Sequence, residues 1–77
     1  MKPAQDALNQ IKWDKKLKPE EYTVEYLDFG KLTKIQYTTI KKVEGLFMII
    51  EKNGEETSIP LHRIRIIRQK GEIIWQR

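Results

Sequence analysis

The sequence predicts an α+β fold, with one N-terminal helix packed on a small, curled antiparallel sheet of five to six strands. Three observations predict it: apolar residues at helical spacing near the start, a change of period to two at Tyr22, and three X-Gly pairs between strand-like runs. Ala4, Ala7, Leu8 and Ile11 fall at i, i+3, i+4 and i+7, so they share one face of a helix of about three turns over 3–13. Pro3 suits a first turn, where its missing N–H costs nothing. The connector 14–21 is charged and broken by Pro19, with one helical turn expected at Pro19–Glu21.

The remainder, 22–77, reads as β-hairpins. Phe29-Gly30, Asn53-Gly54 and Lys70-Gly71 suit two-residue turns, which need positive φ at their centre. Turns of that length set the registers. Tyr22 then faces Tyr37, Val24 faces Ile35 and Tyr26 faces Thr33, with Glu25 opposite Lys34 and Thr23 opposite Gln36 on the other face. In the second hairpin Met48 faces Ile59 and Ile50 faces Thr57. In the third, Ile66 faces Trp75 and Ile67 faces Ile74. The strands are expected at 22–28, 32–40, 46–52, 55–59, 64–69 and 72–76. Segments 46–50 and 64–67 are apolar on both faces, which favours a curled sheet, and a closed barrel would remove its edges altogether. No internal repeat is visible.

Seventy-seven residues are expected to form one domain over 1–77, because half that length builds no stable core. With no cysteine and a single histidine, disulfides, a thiol nucleophile and a transition-metal site lack their residues, so no metal and no cofactor are expected. Met1–Trp13 has no apolar h-region, and the longest unbroken apolar run, Leu46–Ile50, is far too short for a membrane span. A soluble, cytoplasmic protein with no membrane partner is the expectation. The net charge of +4 is unevenly placed: residues 1–60 hold ten Lys against ten Asp or Glu, so the excess lies in 61–77. All four arginines are there, and Arg is the better fork for phosphate.

The most distinctive segment is Ser58-Ile59-Pro60-Leu61-His62-Arg63-Ile64. Pro60 cannot donate to a ladder, so the strand should end there and the chain should turn through Leu61-His62-Arg63. That puts imidazole and guanidinium side by side at a corner, where they can offer several N–H donors to one phosphate, or serve merely as a turn cap and a solvated charge. Arg65 should share the face of Arg63, while Ile64 and Ile66 point into the core with Trp75 and Arg68 falls on their face. Lys70, at the third turn, adds to the positive surface. Among the aromatics, Tyr22, Tyr37 and Trp75 read as core, and Tyr26, at the turn end of its strand, as half-exposed and able to stack a base. Lys12, Lys15, Lys16 and Lys18 form a loose basic run that reads as a solvated connector. No catalytic residues are assigned: the chain has no Ser-His-Asp pattern, P-loop or dinucleotide fingerprint.

Three stretches in order, Ala7-Leu8-Asn9-Gln10-Ile11-Lys12-Trp13-Asp14, Ile59-Pro60-Leu61-His62-Arg63-Ile64 and Gly71-Glu72-Ile73-Ile74-Trp75-Gln76-Arg77, resemble a family of small archaeal proteins known as the RNA cyclic group end recognition domain. The resemblance covers nearly the whole chain and implies binding of RNA with a terminal 2′,3′-cyclic phosphate. It implies His62 and Arg63 as contacts, and RNA-processing proteins, to which the module is found fused, as partners. The first hairpin departs from the family. Relatives often read Tyr-x-His-Arg-Gly there, and this chain reads Tyr26-Leu27-Asp28-Phe29-Gly30, so an acid and an aromatic replace the basic pair.

The function expected from these observations is non-catalytic RNA binding through His62, Arg63, Arg65, Tyr26 and Lys70. Two rivals remain open at this level. One is a protein-interaction module using a strand edge or the leucines Leu27 and Leu32. The other is a metal-independent ribonuclease or cyclic phosphodiesterase working through His62.

Overall fold

A computed structural model describes residues 2–14 and 16–77. The helix α1 runs Ala4–Trp13, with Pro3 extended at its N-cap (φ −62°) and the Asp14 N–H closing its last turn on the Gln10 carbonyl. Ala4, Ala7, Leu8 and Ile11 are all buried, as their spacing predicts. A single 3-10 turn at Pro19–Glu21 follows, and the rest of the chain is strands: β1 Tyr22–Asp28, β2 Lys31–Gln36, β3 Ile40–Glu44, β4 Phe47–Lys52, β5 Glu55–Pro60, β6 Ile64–Gln69 and β7 Glu72–Gln76.

The fold is α+β, but it holds seven strands in two antiparallel sheets, in the orders β2-β1-β6-β7 and β3-β4-β5. The expected single strand 32–40 is two strands separated by a 3-10 corner at Tyr37–Thr39. A second corner of the same kind, Leu61–Arg63, joins β5 to β6. At each corner the chain leaves one sheet and enters the other. Ladder hydrogen bonds stop there, so the described strands form no closed barrel. The sequence marks the first corner only by a change in apolar spacing, from Ile35 and Tyr37 to Ile40 and Val43. A fourth hairpin, missed in the sequence, joins β3 to β4 through Gly45-Leu46, with Glu44 opposite Phe47.

The three X-Gly turns have the expected length, with Asp28 opposite Lys31, Lys52 opposite Glu55 and Gln69 opposite Glu72. Phe29, Asn53 and Lys70 lie at φ of 51°, 54° and 50°, each followed by a glycine at positive φ. The first two registers agree with expectation, except that Tyr37 belongs to the corner and leaves the ladder.

The third register is shifted by one. Ile67 is opposite Trp75 and Arg68 is opposite Ile73, so Ile74 is an extra, bulged residue. On the other side of β6, Glu25 is opposite Ile66 and Tyr26 opposite Ile64, which leaves Arg65 as the extra residue. A bulge reverses the in/out alternation beyond it. Ile64 and Ile67, three positions apart, are therefore both fully buried, and Ile66 turns to the outer face. Arg68 lies outward as well, where it meets Glu25 at 2.6 Å; the expected partner Lys34 is opposite in the ladder but not paired with it.

The core lies between α1 and the inner faces of both sheets: Leu8 and Ile11 from the helix, Tyr22, Val24, Ile64, Ile67 and Trp75 from the first sheet, and Met48, Ile50 and Ile59 from the second. Two hydrogen bonds tie the helix end of the molecule to this core. The Tyr37 hydroxyl donates to the Leu8 carbonyl (3.3 Å), and the Trp75 indole N–H donates to the Lys2 carbonyl (2.5 Å).

The bulged register makes a direct prediction for unfolding in denaturant. Ile67→Ala should cost about 2–5 kcal/mol, the range for a large core side chain truncated to Ala. Ile66→Ala should cost clearly less, whereas a bulge-free sheet would put Ile66 beside Trp75 in the core and make its loss the larger one.

Candidate nucleic-acid interface

The corner at Leu61–Arg63 is held by its first residue. Leu61 is buried in the core, and its N–H donates to the Leu46 carbonyl at 2.8 Å. The Ile64 N–H closes the turn on the Leu61 carbonyl. With Leu61 pointing inward, the next two residues of so tight a turn face out, and His62 and Arg63 are both exposed. Arg65, the bulged residue, folds back across the same corner. Its Nη1 donates to the His62 carbonyl at 2.6 Å and reaches the Ile64 carbonyl at 3.5 Å. Arg65 thus buttresses the turn and spends one end of its fork there.

A cleft of about 290 Å³ opens beside Arg63, lined also by Tyr26, Asp28 and Phe29 from the first hairpin and by Lys52 and Thr57 from the second, with Ile50 and Ile59 at its base. Among the described residues neither Arg63 nor Lys52 has a carboxylate within ion-pair distance. The other arginines are committed elsewhere: Arg68 to Glu25 and to the Gly71 carbonyl (3.0 Å), and Arg77 over the Trp75 ring at 5.6 Å. Asp28 is the one acid among the residues that line the cleft.

Not every residue singled out from the sequence comes to this place. Tyr26 lines the cleft but is only 5% exposed, because its inner-face position on β1 packs it into the core, so its ring is not free to stack. Lys70 stands at the far end of β6, roughly 20 Å from the corner at about 3.3 Å per residue, and faces Glu21 at 3.8 Å. Of the basic run, Lys15 lies outside the described residues, and Lys12 sits over the exposed Trp13 ring at 5.3 Å. Lys52 and Phe29 are residues the sequence reading left unassigned. Only pairing of the two hairpins with the corner brings them beside Arg63.

Among the described residues no cluster of three or more His, Asp or Glu is placed to hold a metal, and no carboxylate is within ion-pair distance of His62. No described helix is long and apolar enough to cross a membrane.

Fold and site together define a small α+β protein that presents an open, arginine-bearing cleft at a corner between two sheets. The sequence model of the MJ1316 RNA cyclic group end recognition domain matches residues 1–77, and the chain belongs to that family. UPF0248 protein SSO2687 of Saccharolobus solfataricus is 37% identical over 79 residues, spanning 94% of this chain and 93% of the relative. A UPF0248 protein of Metallosphaera sedula is 36% identical over 73 residues, spanning 94% and 88%. No solved structure matches the chain.

Three tyrosines, of which only Tyr26 lines the cleft, give the fold a measurable pH signature. Burial pushes the phenols of Tyr22, Tyr26 and Tyr37 above the ordinary 10.0, helped at Tyr22 by Glu21 and Asp14 and at Tyr26 by Asp28. The unfolded chain releases these protons near 10.0 while the folded chain holds them. The stability linked to them is therefore complete below pH 10.0 and is lost as pH rises toward the folded values. An ultraviolet titration of phenolate should place the midpoints of all three above 10.0 in the folded protein, and nearer 10.0 in denaturant.

Proposed function

We propose that this protein is a non-catalytic RNA-binding module that takes RNA ends carrying a terminal 2′,3′-cyclic phosphate, with Arg63 as the principal contact and His62 beside it. The observation that carries the reading is the Arg63 guanidinium, which lines the cleft with no acid partner among the described residues, on a corner whose backbone is pinned by Leu61. A cyclic phosphate bears one negative charge on a rigid ring. A two-pronged guanidinium with one further donor matches it in charge and geometry.

Lys52 adds charge within the same cleft, and Arg65 keeps the corner in shape. Lys70 contributes only long-range attraction from the far end of β6. The family's description as an RNA cyclic group end recognition domain supports the choice of ligand. The fusion of related modules to RNA-processing domains supports a place beside RNA-processing enzymes. Catalysis draws no support from His62, which has no carboxylate at hand to orient it.

The test compares one short RNA ending in a cyclic phosphate, an open phosphate or a hydroxyl. The cyclic end should bind best. Arg63→Ala should weaken it by about 1.5–3 kcal/mol, the range for hydrogen bonds to charged groups. Arg63→Lys should leave most of that loss in place, since an ammonium lacks the planar fork. Asp28→Asn should tighten binding by removing a repulsive charge from the cleft. Lys16→Ala should change little, and equal losses for Lys16→Ala and Arg63→Ala would mean diffuse attraction with no site.

A further inference from the structure

Phe29 is the most exposed large apolar side chain of the described residues, at 98%, and it occupies the left-handed region at φ 51°. Both features are costly. A bulky side chain in that region strains the backbone, which is why Asn, Asp and Gly dominate this position of two-residue hairpin turns. The Asn53-Gly54 turn of the same protein follows that preference, with φ of 54° and 81°. Nothing in the first turn needs a phenyl ring for packing, since a ring at the tip of β1 and β2 touches no core residue. The ring is therefore free to take the face of a ligand without giving up any packing contact.

The surroundings say which ligand. Phe29 lines the same cleft as Arg63 and Lys52, two cations with no acid within ion-pair distance among the described residues. An apolar peptide or a lipid tail would cover the ring but would leave both charges unmatched. A nucleotide supplies an anion and an aromatic face joined by one sugar. The cleft volume of about 290 Å³ is at the small end for ligand sites, enough for one end unit and not for a longer segment.

We propose that Phe29 is the stacking platform for the base of the terminal nucleotide whose phosphate is held at Arg63. This rests on the RNA-end reading and extends it: the protein reads an end nucleotide by two contacts, one ionic and one aromatic. Stacking is not screened by salt, so part of the binding depends on the presence of a base.

The experiment uses the full chain and two short RNAs with the same cyclic end, one with its terminal base and one abasic at the terminal sugar. Phe29→Asn should weaken the base-bearing RNA about 5- to 150-fold, the range for loss of one base–aromatic stack, and leave the abasic RNA unchanged. Phe29→Tyr should retain wild-type affinity. Because Asn suits the turn, Phe29→Asn should also raise the melting temperature, which separates lost stacking from lost fold. Arg63→Ala should weaken both RNAs. Wild-type affinity of Phe29→Asn for the base-bearing RNA overturns the stacking role while leaving end binding intact. Absence of any preference of the wild-type protein among RNA ends overturns end recognition, and the stacking role with it.

Discussion

Leu61 sits at the point where the two sheets, the helix and the cleft meet. Its side chain is buried in the common core, and its N–H donates to the Leu46 carbonyl in the turn just before β4. Pro60 before it cannot donate to a ladder, so β5 must stop and the chain must bend. Once Leu61 is drawn inward by burial, a turn of three residues leaves His62 and Arg63 no direction but outward. The placement of the His-Arg pair is thus a by-product of packing a leucine. The same device recurs at Tyr37, which is half-buried and bonded to the helix while Thr38 after it is exposed.

Electrostatics then sorts four arginines of similar sequence context into different tasks. Arg68 is turned by the bulge onto the face of Glu25 and neutralised. Arg65, the bulged residue itself, reaches the carbonyls of its own corner. Arg77 rests on an aromatic ring. Arg63 lines the cleft and, among the described residues, neither it nor Lys52 beside it has an acid partner. An unpaired guanidinium in an open cleft keeps its donors available for an anion, whereas a paired one would have to give up an existing contact first.

The first hairpin brings an acid and an aromatic, Asp28 and Phe29, into the cleft that Arg63 and Lys52 line. Phe29 is almost fully exposed there. An acid near the anion weakens the ionic part of binding, and an exposed ring offers a compensating contact that salt does not screen.

Local chemistry determined much of this protein. Helical spacing placed Ala4, Ala7, Leu8 and Ile11 on one buried face, the X-Gly pairs set three turns and two registers, and Pro60 marked the corner that exposes His62 and Arg63. These features depend on neighbours a few residues apart, so a linear reading reaches them. The rest depended on partners far along the chain. The bulges at Arg65 and Ile74 arise from fitting β6 between β1 and β7 at once, and they moved Ile66 out, Ile67 in and Arg68 onto Glu25. The corner at Tyr37 was hidden inside a run that alternates well enough to read as one strand. Tyr26 was read as half-exposed because it is near a turn, yet its face of β1 is the core face and it is buried. The cleft itself is assembled from residues 26–29, 50–59 and 63, which meet only when two sheets fold against one helix, and no single stretch of sequence encodes that encounter.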